Sequence, residues 1–140
     1  MALTKMLFIS EGDEYDDVES LWAEPLGEGR YLIKSAPAFV RGVAWGDCVK
    51  GEQADGDLWF KEVIQRGGHG TVWVEALRPE ASTAVKAACK KYGIMTDTSA
   101  GGYFALAVPP GPAMALFVEE LEALRNEELV DYEVACPSTP

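Results

Sequence analysis

From Thr71 onward the chain switches repeatedly between two hydrophobic periods, and this switching constrains the fold more than any other feature. Thr71-Val72-Trp73-Val74-Glu75-Ala76-Leu77 is rich in β-branched and aromatic residues and reads as a strand. Ala81, Val85, Ala88, Cys89 and Tyr92 then recur at i, i+4, i+7, i+8 and i+11, which is one face of a helix. Pro79 suits that helix's first turn and Gly93 the position just past its end, while Lys90 and Lys91 suit its C-terminal dipole. Residues 94–99 form a short strand, Ala100-Gly101-Gly102 turns the chain, and Tyr103-Phe104-Ala105-Leu106-Ala107-Val108 is a further strand. After Pro109-Pro110-Gly111-Pro112, a second helical stripe carries Met114, Phe117, Val118, Leu121 and Leu124, with Glu119, Glu120 and Glu122 on its other faces. Residues 129–136 close as a strand, and Pro137-Ser138-Thr139-Pro140 reads as a loose tail. The order over 71–136 is therefore β-α-β-β-α-β, which predicts a ferredoxin-like unit with two helices on one face of a four-stranded antiparallel sheet.

Residues 1–66 have a different rhythm. Met6-Leu7-Phe8-Ile9 is a strand, and residues 18–24 alternate apolar and polar side chains like a half-buried one. Pro25-Leu26-Gly27-Glu28-Gly29 supplies a turn before Tyr31-Leu32-Ile33-Lys34, predicting a hairpin. Residues 47–53 and 58–65 form a second pair around Asp55-Gly56, a strong hairpin signal. The expected class is thus α+β: a small antiparallel β region over 1–66, a curled sheet or partial barrel, followed by the ferredoxin-like unit. The two regions are expected to share a core, the first covering or extending the second's open sheet face.

Charge narrows the function classes. Twelve basic against twenty-three acidic residues leave a formal net charge of -11. That field repels phosphate backbones and anionic headgroups, so neither nucleic acid nor membrane is an expected partner. Cys48, Cys89 and Cys136 are odd in number and lack the paired spacing of a disulfide framework or a zinc site. The opening Met1-Ala2-Leu3-Thr4-Lys5 does not look like a signal peptide, which makes the cytoplasm the expected compartment.

Candidate chemistry is sparse. His69, the single histidine, sits in Gly67-Gly68-His69-Gly70, where a general acid or base competes with a plain strand-to-strand turn. No serine or cysteine stands in a nucleophile context, and the glycines lack the offsets of a phosphate-binding loop. Arg41-Gly42-Val43-Ala44-Trp45 faintly resembles the anion loop of acylphosphatases, but it precedes strands, and the only asparagine, Asn126, lies far away in sequence. Between Glu11 and Glu28 there are eight acids and no base, and between Glu119 and Glu133 seven acids and one base, Arg125. Such tracts are either solvated surface or steering patches for a basic partner. Trp45 is either an exposed binding anchor or a plug at one end of the β region.

Val18-Glu19-Ser20-Leu21-Trp22-Ala23-Glu24-Pro25-Leu26-Gly27, Arg30-Tyr31 and Gly42-Val43-Ala44-Trp45-Gly46-Asp47 form a pattern with Leu58-Trp59-Phe60 and Gly68-His69-Gly70-Thr71. It resembles the bacterial family known as domain of unknown function 4265, a resemblance that implies no activity and no cofactor. Gly70 stands where a small hydroxyl residue commonly follows the histidine, which argues against catalysis at that turn.

No enzyme and no cofactor are expected. The expected function is a protein-binding inhibitor of immunity or antitoxin type that occludes a toxin's active surface. Asp13, Glu14, Asp16, Asp17, Trp45 and His69 are its candidate contact residues. The alternative is a small-molecule-binding regulatory (sensor) module that dimerises edge to edge.

Overall fold

A computed structural model describes residues 2–10, 17–98 and 100–140. The protein is mixed α+β, with nine strands in two antiparallel sheets and two helices among the described residues. The first sheet holds β1 (Thr4–Ser10), β2 (Asp17–Gly27), β3 (Arg30–Ile33), β4 (Cys48–Ala54) and β5 (Asp57–Gln65), paired in chain order. A parallel bridge, Leu7 opposite Trp59, also joins β1 to β5. Asp55 and Gly56 both take positive φ, +53° and +85°, as the tight turn between β4 and β5 requires. The strands alternate as half-buried strands should. Met6, Phe8, Leu21, Ala23, Ile33, Val49 and Leu58 point inward and pack together, with Phe8 stacked on Phe60 at 4.7 Å.

The second sheet holds β6 (Gly70–Ala76), β7 (Met95–Thr98), β8 (Tyr103–Val108) and β9 (Val130–Cys136), in the order β7-β8-β6-β9. Helices α1 (Pro79–Tyr92) and α2 (Ala113–Asn126) lie between its strands in sequence. Val72, Val74, Phe104, Leu106 and Val108 pack against Val85, Phe117 and Leu121 of the helices. Helix α1 begins with Pro79 and ends on Gly93 in the left-handed region at φ 68°, the start and stop that the residue types favour. Among the described residues, no helix is long and apolar enough to cross a membrane.

The opposite face of this sheet carries small residues. Ala105, Ala107 and Ala135 lie beside Trp73, and the segment from Ala36 to Trp45, between β3 and β4, packs onto them. Small side chains let the segment's backbone come within reach of the sheet's polar groups. The Trp73 indole N–H donates to Pro37 O at 2.7 Å, and the Tyr103 hydroxyl donates to Ala38 O at 2.6 Å. Carbonyls that would otherwise lose water on burial thus find donors.

The expected loose tail is instead fastened. The Thr139 N–H donates to Gly68 O at 2.9 Å and the Gly111 N–H donates to Thr139 O at 3.0 Å. Two loops expose backbone groups to the tail, and pairing them holds it down. The alanine face yields the first test. Ala105→Leu drives a larger side chain into the interface and is expected to cost about 1–3 kcal/mol. Ala115→Leu, on the exposed side of α2, is expected to change stability by less than about 0.5 kcal/mol; urea unfolding of both variants measures the contrast.

Candidate functional site

Where the two sheets meet, a fully buried carboxylate organises the loops. Asp47, at 0% exposure, accepts the Ala44 N–H at 3.0 Å and the Gly67 N–H at 2.8 Å. The Arg66 guanidinium lies 3.1 Å from it. Arg66 also reaches the His69 carbonyl at 3.3 Å and the Cys136 sulfur at 2.8 Å. One carboxylate and one guanidinium therefore tie the start of β4, the loop after β5 and the end of β9 together. Gly67 is required by proximity: a Cβ there would stand 2.3 Å from Gly46 O. Gly70 is equally confined, its absent Cβ falling 2.5 Å from Ser138 N and 2.6 Å from Cys136 O. The glycine cluster thus serves close packing of backbones as well as turning, since only Gly68 of the three takes positive φ.

Trp45 and His69 meet above this tie, their rings 4.8 Å apart and tilted by 52°. Lys34 Nζ sits 5.0 Å from the Trp45 ring and 3.8 Å from Glu24. Both rings are half-buried. Burial lowers the His69 pKa from its ordinary 6.5, and the nearby Asp47 charge opposes that shift only in part. With partners already placed around both rings, this arrangement suits a packed corner better than a projecting anchor.

A second feature lies along the 36–41 segment. Glu19 of β2 accepts three backbone N–H groups, from Ala38 at 2.6 Å, Phe39 at 2.9 Å and Val40 at 3.1 Å. This carboxylate shapes the segment into one wall of a groove of about 590 Å3. Ser10, Asp17, Val18, Arg41, Trp73 and Tyr103 supply the rest of the lining. Phe39 stacks on Tyr103 at 5.9 Å yet remains 61% exposed, and Val18 and Ile9 are 56% and 60% exposed. Arg41 forms a two-pronged bond to Glu133, at 2.7 and 2.9 Å, with its guanidinium carbon 5.0 Å from the Trp73 ring. Burial first, then Glu19 and Glu133, push the Tyr103 hydroxyl up to about 12, so it is a neutral hydrogen-bond donor at ordinary pH.

Of the residues singled out from sequence, Asp13, Glu14 and Asp16 lie outside the described residues. Asp17 opens β2 on the groove wall. Trp45 and His69 come together, and no contact among the described residues joins them to Asp17. Sequence reasoning missed Asp47, Arg66, Glu19 and Phe39. Glu19 was findable, because it shares strand parity with the inward-facing Leu21 and Ala23, which separates it from a solvated acid. Asp47 carried no comparable signal, since two of its three partners, Arg66 and Gly67, lie 19 and 20 residues further along the chain.

Among the described residues, no group of three or more His, Cys, Asp or Glu side chains could hold a metal ion. Burial raises the Cys89 thiol to about 11 and also raises Cys136, so both sulfurs stay protonated at neutral pH.

Fold and groove together define a two-sheet α+β protein with a preformed surface cleft. The chain belongs to the family described as Domain of unknown function (DUF4265), whose model matches residues 19–132. No curated protein matches it. Among solved structures it is similar to a hypothetical protein from Neisseria gonorrhoeae, with 21% identity and a TM-score of 0.88 over 100% of this chain and 99% of that one. At that identity the likeness concerns the fold.

Two tests follow from the corner. Asp47→Ala orphans the buried Ala44 amide and takes the acceptor from the Gly67 amide and the partner from Arg66, and is expected to cost about 1–3 kcal/mol in urea unfolding. His69 takes up a proton less readily when folded, so its contribution to stability is complete above its unfolded pKa of 6.5 and is lost as pH falls below that value. His69→Gln is accordingly expected to flatten the stability profile between about pH 7 and pH 5; an unchanged slope in melts across that range would contradict the assignment.

Proposed function

We propose that the protein is a binding protein, not an enzyme: a cytoplasmic inhibitor of immunity or antitoxin type that occludes a partner enzyme's active surface. The observation carrying this reading is the groove, with exposed Phe39 and Val18 at its mouth and Trp73 and Tyr103 within. Apolar side chains rimmed by charge are the composition of a protein contact. Exposed Asp17 at its rim and the net charge of -11 favour a basic partner and speed its approach. The same field disfavours nucleic acid and anionic membranes.

A finer description of the scaffold belongs to the same proposal. The order β7-β8-β6-β9, with α1 and α2 packed on one face, supports a ferredoxin-like unit over 71–136. The bridge between β1 and β5 supports a curled, barrel-like region over 1–66. In this reading the groove lies at the seam of two rigid pieces, which limits the ordering cost of binding.

Copurification with the product of the neighbouring gene tests the proposal. Phe39→Asp and Val18→Asp are each expected to weaken the complex at least about tenfold, in the range of a buried apolar contact at an interface. Because both side chains are exposed, melting temperatures are expected to stay near wild type. A partner that binds both variants unchanged, or no partner at all, would overturn the reading.

A further inference from the structure

Strand β9 ends the second sheet: it pairs with β6 on one side and with no strand on the other among the described residues. Its seven residues contain no proline, so one row of backbone N–H and C=O groups is available to an added strand. From this edge inward across β6 to β8, the sheet face holds a shallow cleft of about 200 Å3 lined by Trp73, Glu75, Tyr103, Asp131, Tyr132 and Glu133. The register places Trp73 opposite Glu133 and Glu75 opposite Asp131. Strand alternation turns these four side chains to the same face as Ala105 and Ala135, away from the helices. Glu75 and Asp131 are both exposed, and like charges directly opposite across a strand pair repel. Glu133 has Arg41 as its partner, whereas no cation pairs with Glu75 or Asp131 among the described residues.

We infer that the β9 edge receives an extended basic segment of a partner protein, added as a further strand with Lys or Arg at alternate positions. The inference rests on the protein-binding reading and names the form of one partner segment. Strand spacing sets the pattern. In an added strand, the residue opposite Asp131 shares its face, so a cation there supplies the partner that Asp131 lacks and offsets its repulsion with Glu75, while Glu133 keeps Arg41. Backbone bonds then supply affinity, while the charge pattern supplies selectivity. A second copy of this chain is the wrong occupant. Antiparallel pairing of two β9 strands about Tyr132 sets Asp131 against Glu133 of the copy, adding like-charge contacts.

The probe is a fluorescent seven-residue peptide of alternating lysine and valine, with a glutamate-valine peptide as its counterpart. The lysine peptide is expected to bind at low salt, to weaken as salt rises, and to slow amide exchange within 131–135 at least tenfold. The surface double variant Glu75→Gln/Asp131→Asn is expected to bind it at least tenfold more weakly, and the charge-matched variant Glu80→Gln/Glu127→Gln, exposed and outside the cleft, to bind it as wild type does. Methylating the peptide's alternate backbone nitrogens is expected to abolish binding while leaving its charge intact. The inference is overturned by an absence of binding, by binding without slowed exchange in β9, by equal binding to the Glu75/Asp131 double variant, or by an equal loss of binding in Glu80→Gln/Glu127→Gln. Those outcomes leave capture of the neighbouring gene's product through the groove as a separate result.

Discussion

Trp73 and Tyr103 sit on the sheet face that the helices leave open, and the 36–45 segment is what covers them. An indole and a phenol can be buried only if their N–H and O–H find acceptors, and Pro37 O and Ala38 O provide these. The same segment is gripped from the other sheet by the Glu19 carboxylate through three amides. One stretch of irregular backbone is therefore satisfied from both sides. Its two anchors set how the sheets sit together and fix the wall on which Phe39 is displayed.

Asp47 performs the complementary task at the other end of that segment. Burying a carboxylate is costly unless charge and hydrogen bonds compensate, and here two amides and Arg66 do so. Because Arg66 also bonds the His69 carbonyl, and Trp45 lies against the His69 ring, the histidine belongs to a structural corner. The described groove is lined by other residues. Negative charge stands both at the groove rim, on Asp17, and along the β9 edge, on Asp131 and Glu133.

The parts of this fold governed by local rules were legible in the sequence. Period-two alternation in Val72 and Val74, the helical stripe ending in Gly93, and the Asp55-Gly56 turn each follow from neighbours within a few residues. Family membership was legible too, through spaced tryptophan, glycine and histidine motifs, and the family model spans 19–132. Long-range pairings were not. Nothing near Pro37 marks it as the acceptor for Trp73, and nothing near Thr139 announces Gly68 as its partner. Counting Glu19 among solvated acids overlooked its parity, and Ala105 and Ala107 read as ordinary strand residues until the segment they admit was in view.

The groove has a fixed shape only if the 36–41 wall is rigid in the free protein. Native-state hydrogen exchange at the amides of Ala38, Phe39 and Val40 measures this directly, since those N–H groups bond Glu19. Exchange that becomes appreciable only with opening of the whole molecule, and that quickens sharply in Glu19→Gln, is the predicted result. Rapid exchange in the wild type, indifferent to that substitution, would show the wall to be a loose loop and the groove to have no fixed shape.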